Sequence, residues 1–259
     1  MRMMKKVLGT VTVLALSVSL LAGCGSTAVS PVSSTASTVA ESTTSSVVSE
    51  TTSAAADENA AAAAQLLNDL TGSYQELWPV ILADEYQQTW LDNCTALVGE
   101  ENAEAAFERL SSMVTGDVYG EDAVEAYANG GGAYFCGFTN DLATLTFDGE
   151  TSTISGTDKD GNVLFSHTYH YIGMEPVHGL YEFESDDADS GEFTYFFLAP
   201  DTSAETYHIE FRYGSDAEAL SQYDAGEYAY WVASGISTDC DQTMIDNCIE
   251  LFCNENLAG

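Results

Sequence analysis

The clearest pattern in the chain is an alternation of apolar and polar residues over positions 206–214. Side chains alternate between the two faces of a strand, so one face of this segment is apolar. That face carries Tyr207, Ile209, Phe211 and Tyr213. The opposite face carries His208, Glu210 and Arg212. The segment therefore predicts a strand with one apolar face and one face of polar, ionisable side chains.

Similar alternation recurs through the preceding seventy or so residues, where only residues 193–198 are apolar on both sides and are expected to be covered on both, so this region is read as a series of short strands. The predicted strands cover residues 144–147, 152–155, 163–171, 180–184 and 193–198. Asp148-Gly149 and the run 158–162 read as turns between them. The run 158–162 lacks the Gly and the closing Glu of a calcium loop. Short strands with regular turn signals predict a barrel or a sandwich.

Helical periodicity brackets this β region. Apolar residues at three- and four-residue spacing predict helices over residues 60–70, 74–82 and 102–114. A short helix is expected after Ser215, where Asp216 suits the N-cap. Residues 241–253 predict a C-terminal helix with one apolar side. The fold class expected is α+β and mostly β, with N-terminal helices and a closing C-terminal helix.

The first residues read as an export signal. Basic residues at positions 2, 5 and 6 precede an apolar run too short to span a membrane comfortably. Leu21-Ala22-Gly23-Cys24 follows and resembles the bacterial lipoprotein signal. The resemblance implies cleavage before Cys24, lipidation of Cys24, and an extracytoplasmic chain anchored to the bacterial cell membrane.

Composition then divides the remaining chain. Residues 24–56 begin with Cys24 and are rich in Ser, Thr, Val and Ala, which favours a disordered linker. The predicted domains are a signal peptide at 1–23, a lipidated linker at 24–56 and one folded domain at 57–259. Beyond the signal, three basic residues face 41 acidic ones, so binding to nucleic acid is excluded.

Five cysteines remain once Cys24 is set aside, and an extracytoplasmic location permits disulfides. They are Cys94, Cys136, Cys240, Cys248 and Cys253. None of their spacings is C-x-x-C, so a thiolate zinc cluster is poorly supported. An odd number leaves at least one thiol unpaired, and the spacings leave the pairing open.

His208 and Glu210 are the candidate metal ligands. An imidazole and a carboxylate two residues apart on one strand reach a common point above the sheet, which suits zinc. The alternative is a solvated polar face on which Glu210 and Arg212 form a surface ion pair.

Several segments, in order, resemble the ZinT family of extracytoplasmic zinc-binding proteins, over residues 67–257 with a poor fit at 117–138. The matching segments are Leu70-Thr71-Gly72-Ser73-Tyr74-Gln75, Trp78-Pro79, Tyr169-His170-Tyr171-Ile172-Gly173, Ala199-Pro200 and the strand ending at Gly214. The resemblance implies a calycin, or lipocalin-like, β-barrel. It also implies zinc as the bound metal and a metal-uptake transporter as a partner.

The resemblance also implies where the ligands would lie. Family members hold zinc with three histidines, whose positions correspond here to His208, Glu210 and Phe196. Only one histidine is retained, and a carboxylate replaces the second. A third ligand would have to come from elsewhere, and His178 and His170 are the candidates.

We therefore expect a membrane-tethered, cell-surface protein that binds a divalent metal for capture or uptake. The hypothesis requires His208 and Glu210 to face the barrel lumen. The alternative is a lipocalin-like lipoprotein that has lost metal binding and holds a small apolar ligand or a protein partner. An enzyme is not expected, because the motifs Gly-x-Ser-x-Gly, His-Glu-x-x-His and the phosphate loop are absent from the sequence.

Overall fold

The computed structural model describes residues 47–258, with side-chain environments from residue 58 onward. The predicted signal peptide, Cys24 and linker residues 24–46 lie outside the described residues. Helix α1 begins at Val47 and so includes the last part of the predicted linker. Within residues 47–258 no helix has both the length and the apolarity needed to cross a membrane.

The described residues form a closed, antiparallel β-barrel in which each strand pairs with its neighbours in sequence and β1 pairs with β8. Closure of this kind leaves no open sheet edge. The strands are β1 Gly72–Glu76, β2 Thr144–Asp148, β3 Thr153–Thr157, β4 Val163–Met174, β5 Tyr181–Ser185, β6 Tyr195–Leu198, β7 Ile209–Gly214 and β8 Ala233–Ser237. This is the up-and-down barrel architecture of lipocalins, so the predicted fold class is confirmed.

Helices precede the barrel, follow it and lie in three of its connections, those between β1 and β2, β6 and β7, and β7 and β8. They are α1 Val47–Asp69, α2 Leu77–Ile81, α3 Gln87–Val98, α4 Glu100–Val114, α5 Glu121–Ala128, α6 Ser203–Thr206, α7 Ala217–Leu220 and α8 Gln242–Leu257. Short 3₁₀ turns lie at Asp84–Tyr86 and Gly191–Phe193.

The barrel interior is filled by large apolar side chains. The inward-facing residues of the strands include Leu145, Phe147, Ile154, Phe165, Tyr169, Phe183, Phe196, Ile209, Phe211 and Tyr213. Their exposed fractions are all 4 % or less. Leu66 and Leu67 of α1 join the same cluster, as does Leu70, which directly follows the helix. The lumen is therefore a packed core, which stabilises the barrel through the burial of aromatic surface.

A second apolar cluster lies outside the barrel. Helices α2, α3, α4 and α8 contribute to it, and Ile236 of β8 contributes from the outer face of the sheet. Trp90 and Cys94 of α3 and Cys253 of α8 are completely buried there. This helical layer covers one side of the barrel, and the candidate site lies beside it.

One sequence prediction is wrong, and three elements were not predicted. Residues 74–76 belong to strand β1 instead of a helix, because Tyr74 points into the barrel and pairs with both Leu145 and Ser237. Strand β8 was not predicted, since its small residues carry little β-propensity. Helices α3 and α5 were not predicted either.

Candidate metal site

The candidate site begins where helix α6 ends and strand β7 starts. The Thr202 backbone N–H donates to the Glu205 carboxylate at 3.2 Å, which caps α6 at its start. Tyr207 ends the helix in a left-handed conformation with φ of 68°. This turn redirects the chain, so His208 lies immediately before the first residue of β7.

His208 and Glu210 do not face the lumen. Ile209, Phe211 and Tyr213 occupy the inner face of β7, so strand alternation places Glu210 on the outer face. His208 approaches the sulfur of Cys248 in α8, with Nδ1 3.8 Å from Sγ. The lumenal placement that the sequence hypothesis requires is therefore wrong.

The pair is nevertheless sheltered from bulk solvent. The side chain of His208 is 17 % exposed and that of Glu210 is 26 % exposed. Helix α8 packs beside the outer surface of the barrel and supplies the cover. The face that carries His208 and Glu210 thus packs against helix α8 and is not open to bulk water. Both side chains are therefore partly buried.

The hydrogen bonds of His208 fix how the ring is presented. Its Nδ1 lies 2.7 Å from the backbone oxygen of Thr206. A carbonyl only accepts, so Nδ1 carries the proton and donates. The Nε2 atom then points toward Glu210, whose Oε1 is 3.7 Å away. A histidine held through one nitrogen by a carbonyl presents the other as a metal ligand.

The charge state of the imidazole follows from its neighbours. Burial opposes protonation, but the contacts with Cys248 and Glu210 outweigh it and hold the pKa of His208 well above its ordinary value. These contacts favour the protonated form of the ring beside the Glu210 carboxylate. A metal ion at Nε2 has to displace that proton.

Two further acidic residues, Asp201 and Glu255, interact electrostatically with His208 and Glu210. Burial raises the pKa of Asp201, with repulsion from Glu205 and Glu210 adding to the rise and His208 opposing it. Burial likewise raises the pKa of Glu255 in α8, while His208 opposes the rise. The imidazole of His208 therefore has acidic side chains from β7, from α8 and from the loop before α6 around it.

Sequence pattern alone did not identify Asp201 and Glu255 as neighbours of His208. Asp201 lies in an irregular loop, where periodicity carries no information. Glu255 follows Cys248 by seven residues, two helical turns, which puts both on one face of α8. That spacing is the signal that could have found Glu255, although only the tertiary structure brings α8 to His208.

The alternative ion pair between Glu210 and Arg212 is not what the structure contains. Arg212 is completely buried, and its guanidinium donates to the backbone oxygens of Leu220, Gln222 and Tyr228. Its central carbon also lies 4.2 Å from the centre of the Tyr223 ring. Arg212 therefore holds a surface loop in place.

Phe196, the third position that the family resemblance implies, lies on the opposite side of the sheet from His208 and Glu210. Phe196 pairs with Tyr213 and is completely buried among the lumenal aromatic rings. The three corresponding positions are thus not brought together, because two of them lie on the outer face of the barrel and one lies within it.

The two candidates for a third ligand, His170 and His178, have partners of their own. His170 Nδ1 lies 2.8 Å from Asp186, and its Nε2 lies 4.0 Å from Glu184. The ring of His178 packs against Tyr223, tilted by 45° with 3.8 Å between the centroids. Neither histidine has a described hydrogen bond or ion pair with His208 or Glu210.

The donor set fits zinc in type but is incomplete in number. Zinc accepts imidazole nitrogen and carboxylate oxygen. Among residues 47–258, however, no three His, Cys, Asp or Glu side chains are grouped so that they could hold a metal ion. Two chain ligands with water would form a weak, open site.

Comparison with known proteins gives matches in structure alone. No family model matches the chain. No curated protein matches it either. Among solved structures, the chain is similar to the Zn(II)-bound ZinT-like domain of Streptococcus pneumoniae AdcA, with 16 % identity over 71 % of this chain and 89 % of that one and a TM-score of 0.45. It is also similar to Zn(II)-bound AdcA from the same organism, with 16 % identity over 71 % of this chain and a TM-score of 0.43. The chain spans about a third of that longer protein, with 35 % covered.

Proposed function

We propose that this protein binds a divalent metal ion, zinc, on the outer face of its barrel, with His208 Nε2 and Glu210 as the ligands. The observation that carries the proposal is the orientation of His208. Its Nδ1 donates to the Thr206 carbonyl at 2.7 Å, and its Nε2 is directed toward the Glu210 carboxylate 3.7 Å away. An imidazole fixed in this way offers the correct nitrogen beside a carboxylate.

The remaining coordination positions would be filled by water or by carboxylates that move in. Asp201 and Glu255 are the chain's candidates, because both interact electrostatically with His208 and Glu210. A cation at Nε2 would relieve the mutual repulsion of these acidic groups. The site would then serve capture of a metal, for which weak and reversible binding is an advantage.

The proposed setting is the outside of a bacterial cell. Cys24 would carry the lipid anchor, and the linker would hold the barrel away from the membrane. A protein that captures zinc there would pass it to a metal-uptake transporter. No enzymatic activity is part of the proposal.

Zinc titration of the full-length chain, purified without chelator and followed by isothermal calorimetry, tests the site. We expect one saturable event that His208→Ala and Glu210→Ala each weaken at least tenfold, about 1.4 kcal/mol. Titrations in about 0.5 M salt suppress diffuse attraction of cations to the acidic surface.

His170→Ala is the matched control, because His170 is an exposed histidine that also pairs with carboxylates. We expect its zinc binding to equal that of the unaltered protein. Binding that survives unchanged in both the His208 and Glu210 variants would place the metal elsewhere and end the proposal. The variants Asp201→Asn and Glu255→Gln distinguish a two-ligand site from a larger one. Weaker zinc binding in either variant would indicate that its carboxylate is a further ligand, and unchanged binding in both would indicate two chain ligands.

The alternative function, an apolar ligand in the lumen, has less support. Phe196 and its aromatic neighbours occupy the barrel interior and are almost completely buried. Close-packed interiors of this kind leave no room for a ligand without rearrangement.

A further inference from the structure

An open cavity of about 530 Å³, here called the mouth groove, lies at the end of the barrel where β5 begins and β6 ends. Helix α1 forms one of its walls, and the loop after β6 together with α6 forms another. Its lining includes Leu66, Asp69, Tyr181, Pro200, Ala204 and Glu205. The candidate metal site, on the outer face of β7, is separate from this lining. Small-molecule sites have volumes in this range and occur at the mouths of β-barrels.

The wall formed by α1 is fixed in position and carries a carboxylate. Ala63, Leu66 and Leu67 anchor the helix in the lumenal core, with at most 4 % of each exposed. Asp69 follows Leu66 by three residues, so the two are neighbours on the helix surface. Gln65 Nε2 donates to Asp69 Oδ1 at 2.8 Å. This bond orients the carboxylate through one oxygen.

The wall formed by α6 carries a second carboxylate. Glu205 Oε2 accepts from the Thr202 backbone N–H at 3.2 Å and from the Thr202 hydroxyl at 3.3 Å. Both bonds use the same oxygen of Glu205. Tyr74 Oη lies 3.4 Å from Ser203 Oγ, which joins α6 to strand β1. Each wall of the mouth groove is therefore part of an anchored helix and presents one acidic side chain.

Much of the remaining lining is apolar. The apolar and aromatic residues of the mouth groove are Ala62, Leu66, Tyr181, Pro200 and Ala204. The Tyr181 ring is held edge-on to Tyr171, with 5.9 Å between the centroids. Carboxylates and aromatic faces attract an ammonium group, and apolar surface favours a methylene chain. The groove therefore combines the surfaces that suit a ligand with both kinds of group.

We propose that the mouth groove binds an aliphatic polyamine, with one ammonium group at Asp69, another at Glu205 and the methylene chain along the apolar lining. Charge complementarity decides the class of ligand. Beyond the predicted signal the chain has 41 acidic and three basic residues, so cations concentrate at its surface and anions are repelled. A metal ion would make no use of the apolar lining, and an uncharged apolar ligand would make none of the carboxylates. The inference is independent of zinc binding at His208.

Calorimetric titration of spermidine into the zinc-free, full-length chain tests the proposal, in about 0.15 M salt to screen diffuse attraction. We expect one saturable site per chain. Asp69→Asn and Glu205→Gln preserve side-chain shape and should each weaken binding about threefold or more. Ala204→Phe, which places a ring in the groove, should weaken it as well. Butylamine, with a single ammonium group, should bind more weakly than spermidine.

Asp92→Asn is the matched control. Asp92 is also an exposed carboxylate on a helix, and it accepts from Gln88, four residues earlier, at 2.8 Å. We expect spermidine binding by this variant to equal that of the unaltered protein. Zinc titration of Asp69→Asn should likewise match the unaltered protein, so failure of one site is distinguishable from failure of the other.

Three results would overturn the proposal. Equal weakening by Asp92→Asn and by the two groove variants, or binding that does not saturate, would show diffuse attraction to an acidic surface. Spermidine binding that Ala204→Phe leaves unchanged would place the ligand outside the groove. Acetylated, amidated tetralysine matches the four ammonium groups of spermine. If this peptide displaces spermidine at lower concentration than spermine does, the groove is a docking site for a basic protein segment instead.

Discussion

Replacing Phe196 by histidine tests whether the ligand positions of the resembled family can be restored in this chain. The substitution puts a third imidazole at the position that corresponds to the missing ligand. Phe196 pairs with Tyr213 inside the barrel, whereas His208 and Glu210 lie on its outer face. We therefore expect Phe196→His to leave zinc affinity unchanged.

The same substitution should be costly for stability. Phe196 is completely buried, and its ring centroid lies 5.4 Å from those of Tyr169 and Tyr213. Histidine forfeits apolar burial and aromatic contacts, and its ring nitrogens would lack partners in the lumen. We expect the free energy of unfolding to fall by about 3–5 kcal/mol, as for truncation of a core Phe. In a domain of this size that lowers the melting temperature by about 10 °C.

Urea unfolding followed by tryptophan fluorescence measures the loss, and calorimetric zinc titration below the transition measures binding. Phe196→Leu, which keeps an apolar side chain at the position, should lose less stability and also leave zinc binding unchanged. Tighter zinc binding by Phe196→His with undiminished stability would refute the placement of residue 196 in a packed lumen.

Three other predictions concern helix ends, a buried hydrogen bond and protonation. The Asp241 carboxylate accepts a hydrogen bond from the Met244 backbone N–H at 2.9 Å and so caps the first turn of α8. Asp241→Ala should therefore lower the free energy of unfolding by about 0.5–2 kcal/mol in urea titrations. Asp239→Ala, at an exposed position outside the cap, should leave it unchanged. Trp90 donates to the Ile81 carbonyl at 2.7 Å in a buried setting, so Trp90→Phe should cost about 1–3 kcal/mol by the same measurement; a neutral result would contradict the need for that bond. The pKa of His208 is raised by folding, so its charge stabilises the protein below the unfolded value of about 6.5, and this contribution disappears as pH rises through the folded pKa. His208→Asn should therefore be most destabilising at acidic pH, and a pH-independent difference from the unaltered protein would contradict this.

Most strands of the barrel could be predicted from local sequence pattern. Period-two alternation identified strands β2 to β5 and β7, because these strands have one face in an apolar lumen and the other in a more polar setting. Strand β6 was identified as a short run that is apolar on both sides, and it is buried on both faces. The strands β1 and β8 escaped detection. Helical spacing from Tyr74 to Leu82 merged the end of β1 with helix α2, and the residues of β8 are buried on both faces, so no alternation remains there. Only barrel closure, in which β1 and β8 pair with each other, shows that they are strands.

The candidate site was also predictable only in part. Alternation alone placed His208 and Glu210 on one face of a strand, and the structure keeps them adjacent. Which face looks into the lumen depends on how eight strands close, and a local pattern does not contain that information. Cys248 and Glu255 lie near His208 because α8 packs against the barrel. Contacts between residues far apart in sequence decide these features, so only the tertiary structure could supply them.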